Sequence, residues 1–199
     1  MGRLAVDVVL LPDEAMTLRA IGMNRRLVTK GRPEIVLGQE DRRPHISLAM
    51  GGIEEADVPA IGVRLVDLAG KAAVRHLQVV GVLTTTNTRG ETTALLEVER
   101  TADLQALHEQ VLEEVTPFFR YEVTEAMIQD EVVAPSTLDW IRTYPEKAAY
   151  ENFRPHITLG YGQAPPGLSF PIPFPVAQLA LCHLGNHCTC RRVLATAVL

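Results

Sequence analysis

The hexapeptide Arg43-Pro44-His45-Ile46-Ser47-Leu48 returns later in the chain as Arg154-Pro155-His156-Ile157-Thr158-Leu159. An echo at a separation too long for a solenoid repeat points to a duplicated half. In an extended segment, residues two apart point to one side and the residue between them to the other. His45 and Ser47 therefore stand together on one face, while Ile46 and Leu48 anchor the opposite face in a core. His156 and Thr158 repeat the arrangement around Ile157 and Leu159. The proline before each histidine removes a ladder donor and favours a strand edge or start, from which a side chain reaches a cleft.

If the halves face each other across a pseudo-twofold axis, two imidazoles and two hydroxyls converge on one small volume. That arrangement suits a phosphate. Displacement at phosphorus needs a base for the entering oxygen and an acid for the leaving oxygen on the other side. Histidine serves as either, since its unperturbed pKa is about 6.5. The hydroxyls of Ser47 and Thr158 can donate to the non-bridging oxygens and stabilise charge that builds in the transition state. With these four groups managing protons and charge, neither a metal nor a cofactor is required. Arg43 and Arg154 either lie on the histidine side and attract phosphate or are solvated edge residues. Tyr161 is suited to stacking on a base, or else fills the core or the rim. Lys147, Tyr150 and Phe153, just upstream of the second motif, are further candidates for lining the groove.

The elements that must position these residues are legible as alternating strands and helices. Arg3 to Leu11 alternates and ends at Pro12, as a half-buried strand does, and Pro12 to about Val28 has helical spacing. His45 to Met50 is a strand closed by a turn at Gly51-Gly52; Glu54 to Leu68 is a helix stopped at Gly70. Val74 to Thr86 and Glu91 to Glu99 form a hairpin around Asn87-Thr88-Arg89-Gly90. Thr101 caps a helix to Val115 whose buried face carries Leu104, Leu107, Val111 and Leu112, and Pro117 ends it. His108, beside acidic residues, is expected at the surface, and His76 has no partner pattern. Ser136 to Tyr150 reads as a helix interrupted near Pro145. His156 to Tyr161 repeats the motif strand. Gln178 to Leu184 and Arg192 to Val198 are final strands flanking a turn at Gly185-Asn186. The class is mixed α and β with an antiparallel sheet, and neither a dinucleotide fingerprint nor a phosphate loop is present.

Of the 199 residues, 47% are apolar and 22% charged, which excludes a disordered chain and fits one domain over 1–199. The formal charge is −5. The segment from Glu109 to Glu131 is acidic, with Glu113, Glu114, Glu122, Glu125 and Asp130 against Arg120 alone. A protein that tracks a long polyanion carries a basic stripe, so the expected partner is a small nucleotide or a short oligonucleotide, not a long duplex. Asp7 interrupts the first apolar run, and no stretch approaches a membrane span of roughly 20 apolar residues. No membrane partner is expected, and the chain reads as a cytoplasmic monomer. Cys182, Cys188 and Cys190 suit a reducing compartment better than a disulfide framework. With His183 and His187 nearby they invite a zinc site, but Cys-x-Cys in a hairpin wraps poorly around an ion, and buried strand cysteines are the simpler account.

Paired His-x-[Ser/Thr] motifs followed by apolar residues resemble the signature of the two-histidine (2H) phosphoesterase superfamily, which includes bacterial 2′,5′ RNA ligase and cyclic phosphodiesterase proteins. The resemblance implies a bilobal α+β fold, with an antiparallel β-sheet and flanking helices in each lobe and the active-site groove between them. It also implies catalytic roles for His45 and His156 and phosphate-binding roles for Ser47 and Thr158. The first motif, continuing Ala49-Met50-Gly51, is similar to the RNA ligase branch; in the second, Tyr161 stands where that branch commonly carries a basic residue. The expected function is metal-independent hydrolysis of a cyclic or 2′-linked phosphodiester. The alternatives are a nucleotide sensor without turnover and a 2′,5′ RNA end ligase.

Overall fold

A computed structural model describes residues 2–28, 34–86, 90–164 and 166–199. The first half runs β1 (Arg3–Pro12), α1 (Glu14–Val28), β2 (Ile46–Glu54) and α2 (Val58–Lys71). Next come β3 (His76–Thr86), β4 (Thr92–Val98), α3 (Ala102–Val115) and α4 (Pro135–Lys147). The chain closes with β5 (His156–Tyr161), β6 (Ile172–Leu184) and β7 (Cys190–Val198). Helix starts follow from local chemistry: Asp13 Oδ1 accepts from the Met16 amide at 3.0 Å, and Thr101 Oγ1 from the Leu104 amide at 3.2 Å, each satisfying an orphan N–H.

All seven strands join one antiparallel sheet in the order β2-β1-β6-β3-β4-β5, with β7 on β6. The long strand β6 couples the two lobes. Its residues Val176–His183 pair with β1, and Ile172–Pro175 pair with β3. The motif strands β2 and β5 are the outermost of their half-sheets, yet they come into contact with each other. The groove lies where they meet. One sheet face, carrying Val6, Val8, Leu10, Leu96 and Ile157, packs against α1, α2 and α3 in the main core. On the other, α4 packs beside β2 through Leu138, Ile141 and Tyr144, which cluster with Met50.

The pseudo-twofold relation extends to an irregularity. In the β1–β2 register Val8 faces Ala49 and Val9 faces Ser47, so Leu48 is bulged. In the β4–β5 register Ala94 faces Gly160 and Leu95 faces Thr158, so Leu159 is bulged. The extra residue occupies the same motif position in both halves. A bulge shifts the alternation of side chains beyond it, and this turns Met50 to the groove while Ala49 joins Leu48 in the core.

Several elements depart from the sequence expectations. Gly51-Gly52 is no turn: β2 runs through it to Glu54. A Cβ at Gly51 would meet the Phe119 ring at 2.7 Å, and one at Gly52 the Met127 methyl at 2.6 Å, so these glycines permit close approach of a crossing segment. Gly70 does not stop α2, which continues to Lys71, and α4 passes through Pro145 to Lys147. Strand β1 is buried on both faces from Ala5 to Pro12, not half-buried, because it is an inner strand covered on both sides. The hairpin strands β3 and β4 pair as expected; its turn residues Asn87, Thr88 and Arg89 lie outside the described residues. Cys182 and Cys190 are joined in a disulfide between β6 and β7, contrary to the expectation of free cysteines; adjacent hairpin strands hold their Cα atoms 5.4 Å apart, a bonding separation. Cys188 is free. Among the described residues no helix is long and apolar enough to cross a membrane.

Candidate active site

The two motifs enter their strands alike. Each histidine opens or immediately precedes an outer strand, so its side chain meets the groove and not a further strand. The apolar partners behave as alternation demands: Ile46, Leu48, Ile157 and Leu159 are fully buried, while His45, Ser47, His156 and Thr158 are half-buried. Backbone bonds fix each entry. The Arg43 amide donates to the Cys190 carbonyl at 3.1 Å, and the Val98 amide to the Pro155 carbonyl at 3.0 Å.

One cavity of about 470 Å³ is lined by His45, Ser47, His156 and Thr158, together with Arg43, Arg154 and Tyr161. All seven residues singled out in the sequence thus share one space. Lys147 and Phe153 also line it; Tyr150 is instead set edge-on to His108, with ring centroids 6.4 Å apart. The Tyr161 hydroxyl lies 3.1 Å from His187 Nδ1 on the wall. Leu83, Leu95 and the partly exposed Trp140 give the cavity an apolar side. Trp140, the only tryptophan in the chain, was not singled out in the sequence.

The imidazoles share a tautomer. His45 Nδ1 lies 2.7 Å from the Arg43 carbonyl oxygen, and His156 Nδ1 lies 2.7 Å from that of Arg154. A carbonyl oxygen only accepts, so each Nδ1 carries the proton and each Nε2 keeps a lone pair. Burial pushes His45 down to about 4; the Arg43 carbonyl opposes this and the charge of His156 adds to it. Burial also lowers His156, against the Arg154 carbonyl. Both rings are therefore neutral bases near pH 7.

Three residues that sequence reading did not assign to the site hold it in place. His108 is fully buried, not at the surface, because it lies one turn from both Leu104 and Leu112 on the buried face of α3. That spacing was the available signal. His108 Nδ1 donates to the Leu48 carbonyl at 2.7 Å, Nε2 accepts from the Tyr150 amide at 2.9 Å, and the ring stacks on Phe153 at 4.0 Å. It thereby joins the first motif strand to the approach of the second. Asn24 of α1 does the reciprocal work: Nδ2 donates to the Leu159 and Ile35 carbonyls, both at 2.7 Å, and Oδ1 accepts from the Leu37 amide at 2.9 Å. The bulged leucine of each motif strand thus has its carbonyl held by a helix of the other half.

The third is Asp7, fully buried on β1. Its Oδ2 lies 2.6 Å from Ser47 Oγ and 3.8 Å from His45 Nε2. Burial pushes this carboxyl well above the usual carboxylate range, against hydrogen bonding from the Ser47 hydroxyl and the Ala49 amide. A lone acid inside an apolar run was its sequence signal.

The zinc alternative loses two of its five candidate ligands, since Cys182 and Cys190 are bonded to each other. Burial raises the Cys188 thiol further from ionisation. Among the described residues no group of three or more His, Cys, Asp or Glu side chains is arranged to hold a metal ion.

The model of the 2′-5′ RNA ligase superfamily matches residues 38–183. No curated protein matches the chain. Among solved structures, TT0787 of Thermus thermophilus superposes with a TM-score of 0.57 at 18% identity over 98% of each chain. A protein described as a phosphoesterase gives 0.51 at 15% identity, over 100% of this chain and 99% of the other. Escherichia coli LigT complexed with 3′-AMP gives 0.49 at 13% identity, over 100% and 99%. At such identities the first two likenesses establish the fold.

Proposed function

The chain belongs to the 2′-5′ RNA ligase superfamily, that of the 2H phosphoesterases, and we propose that it hydrolyses a cyclic or 2′-linked phosphodiester of a nucleotide or short oligonucleotide without a metal. The observation that carries this reading is the shared cavity, into which both histidine–hydroxyl pairs open with both Nε2 lone pairs available.

In the proposed reaction a neutral imidazole Nε2 removes the proton from water as its oxygen attacks phosphorus. The other imidazole, protonated in the complex, gives its Nε2 proton to the departing ribose oxygen. The bond from phosphorus to that oxygen breaks as the new one forms, and a phosphomonoester and a free ribose hydroxyl result. Ser47 and Thr158 donate to the non-bridging oxygens, where donors aimed at developing charge are worth most. Arg43 and Arg154 supply positive charge. Tyr161 and Trp140 supply aromatic surface for a base. A cavity of about 470 Å³ fits a ligand of nucleotide to short oligonucleotide size better than a duplex.

The test is a panel of 2′,3′-cyclic nucleotides, ADP-ribose cyclic phosphate, 2′,5′-linked oligonucleotides and cyclic oligonucleotides. It is run with the wild type and the His45→Ala/His156→Ala variant, with and without chelator. Turnover of at least one compound is expected, unaffected by chelator and lost in the variant. Tight binding of AMP-like ligands with every compound left intact would favour the sensor alternative.

A further inference from the structure

The two halves repeat each other closely along the groove, and Asp7 marks a difference between them. In the strand register Asp7 faces Met50, and Thr93 faces Tyr161. Met50 and Tyr161 hold the same place after His45 and His156, so Thr93 is the counterpart of Asp7. Only one motif hydroxyl, that of Ser47, therefore has a buried acid at this register position.

A separation of 2.6 Å between Ser47 Oγ and Asp7 Oδ2 means that one proton lies between them. A serine hydroxyl has a single proton to donate. With Asp7 ionised, that proton is taken by the carboxylate, and Ser47 turns only lone pairs toward an anion. With Asp7 protonated, the carboxyl O–H donates to Ser47 Oγ, and the Ser47 O–H is free to donate to a ligand oxygen. The surroundings favour the protonated state. Asp7 is fully buried, and the groups that face it are Tyr144 of α4, Cys188 of the 186–188 turn and His45. His45 Nε2, at 3.8 Å, is beyond hydrogen-bond reach, so the carboxyl proton goes to Ser47.

We propose that Asp7 is a positioning residue acting as a neutral carboxylic acid, which donates to Ser47 Oγ so that Ser47 turns its own proton to the bound phosphate. The inference rests on the reading of Ser47 as a phosphate-holding residue. No proton is transferred along the pair; only the direction of the hydrogen bonds changes. Burial raises the Asp7 carboxyl, which keeps its proton in place over more of the pH range.

The test is sulfate binding by calorimetry from pH 6 to 10, beside turnover of 2′,3′-cyclic AMP, for the wild type, D7N, S47A and D7N/S47A. Sulfate keeps its charge over this range, and thermal melting confirms that each variant is folded. The side-chain amide introduced by D7N donates to Ser47 Oγ at every pH. D7N is therefore expected to bind sulfate within about threefold of wild type at pH 6, and at least about tenfold more tightly at any pH where wild-type Asp7 is ionised. With Ser47 replaced by alanine, that advantage shrinks by about tenfold, and what is left is the effect of the removed charge. A large loss in D7N at pH 6, an advantage of about tenfold for D7N already at pH 6, or an undiminished advantage in the S47A background overturns the proposal, whereas a profile identical to that of the wild type up to pH 10 means a carboxyl neutral throughout, as proposed. Turnover of 2′,3′-cyclic AMP together with one of these overturning results defeats the inference and leaves the proposed function standing. The sulfate behaviour proposed for Asp7, with no compound of the wider panel turned over, does the reverse.

Discussion

His45 and His156 are bases waiting for a charge. Each ring is fixed by its own Nδ1–H to a carbonyl two residues back, and burial holds both neutral. The proposed reaction needs one of them as an imidazolium, so in it the bound phosphate supplies the field that returns the proton. A group whose pKa rises on binding takes up protons as the ligand binds, and affinity falls as pH rises through the pKa of the complex. Sulfate binding at pH 6.5 is therefore expected to take up close to one proton, measured by calorimetry in buffers of differing ionisation enthalpy. A heat independent of buffer would contradict this. Much of the residue-level account was legible beforehand, because a duplicated His-x-hydroxyl pattern constrains which side chains share a face. Asp7 was visible only as an interruption. Nothing local distinguishes a buried acid from an exposed one until β1 is known to lie inside the sheet.

At the scale of elements, each motif strand carries a bulge, and each bulge is held from the opposite half. The Leu48 carbonyl is bonded by His108 of α3, and the Leu159 carbonyl by Asn24 of α1. Removing either side chain leaves buried backbone groups unpaired, at about 1–3 kcal/mol for each group. His108→Ala and Asn24→Ala are each expected to lower unfolding free energy by about 2–5 kcal/mol, measured by urea denaturation, with turnover reduced in whatever protein stays folded. A loss below about 0.5 kcal/mol in both would show that these contacts do not hold the strands. The order of strands and helices could be read from periodicity, but the bulges could not, since Leu48 and Leu159 are ordinary core residues by type. Gly51-Gly52 misled for a related reason: a glycine pair that admits Phe119 and Met127 looks, in sequence, like a pair that makes a turn.

The whole molecule is two half-sheets coupled by β6 and cross-braced by α1 on β5 and α3 on β2. Its buried histidines make it sensitive to acid. His45 and His108 are lowered to about 4, and His156 and His183 are lowered too, all through burial. A histidine whose folded pKa lies below the unfolded 6.5 binds fewer protons when folded, so stability falls as pH drops from about 6.5 to about 4 and then levels. For His108, fully buried, that is worth about 3 kcal/mol. Asp7 acts in the opposite sense, since its raised pKa lends stability that is lost as pH rises through it. Wild-type stability is expected to fall between pH 7 and 4.5 in urea titrations, and D7N to fall more steeply; equal or rising stability in both would contradict the assignment. The measurement that bears most directly on the central claim is turnover of a cleaved phosphodiester by His45→Ala, His156→Ala and the double variant. If both imidazoles serve one phosphate as acid and base, each single variant loses about a thousandfold or more in kcat, and the double loses little beyond either. Wild-type turnover in one single variant would contradict it.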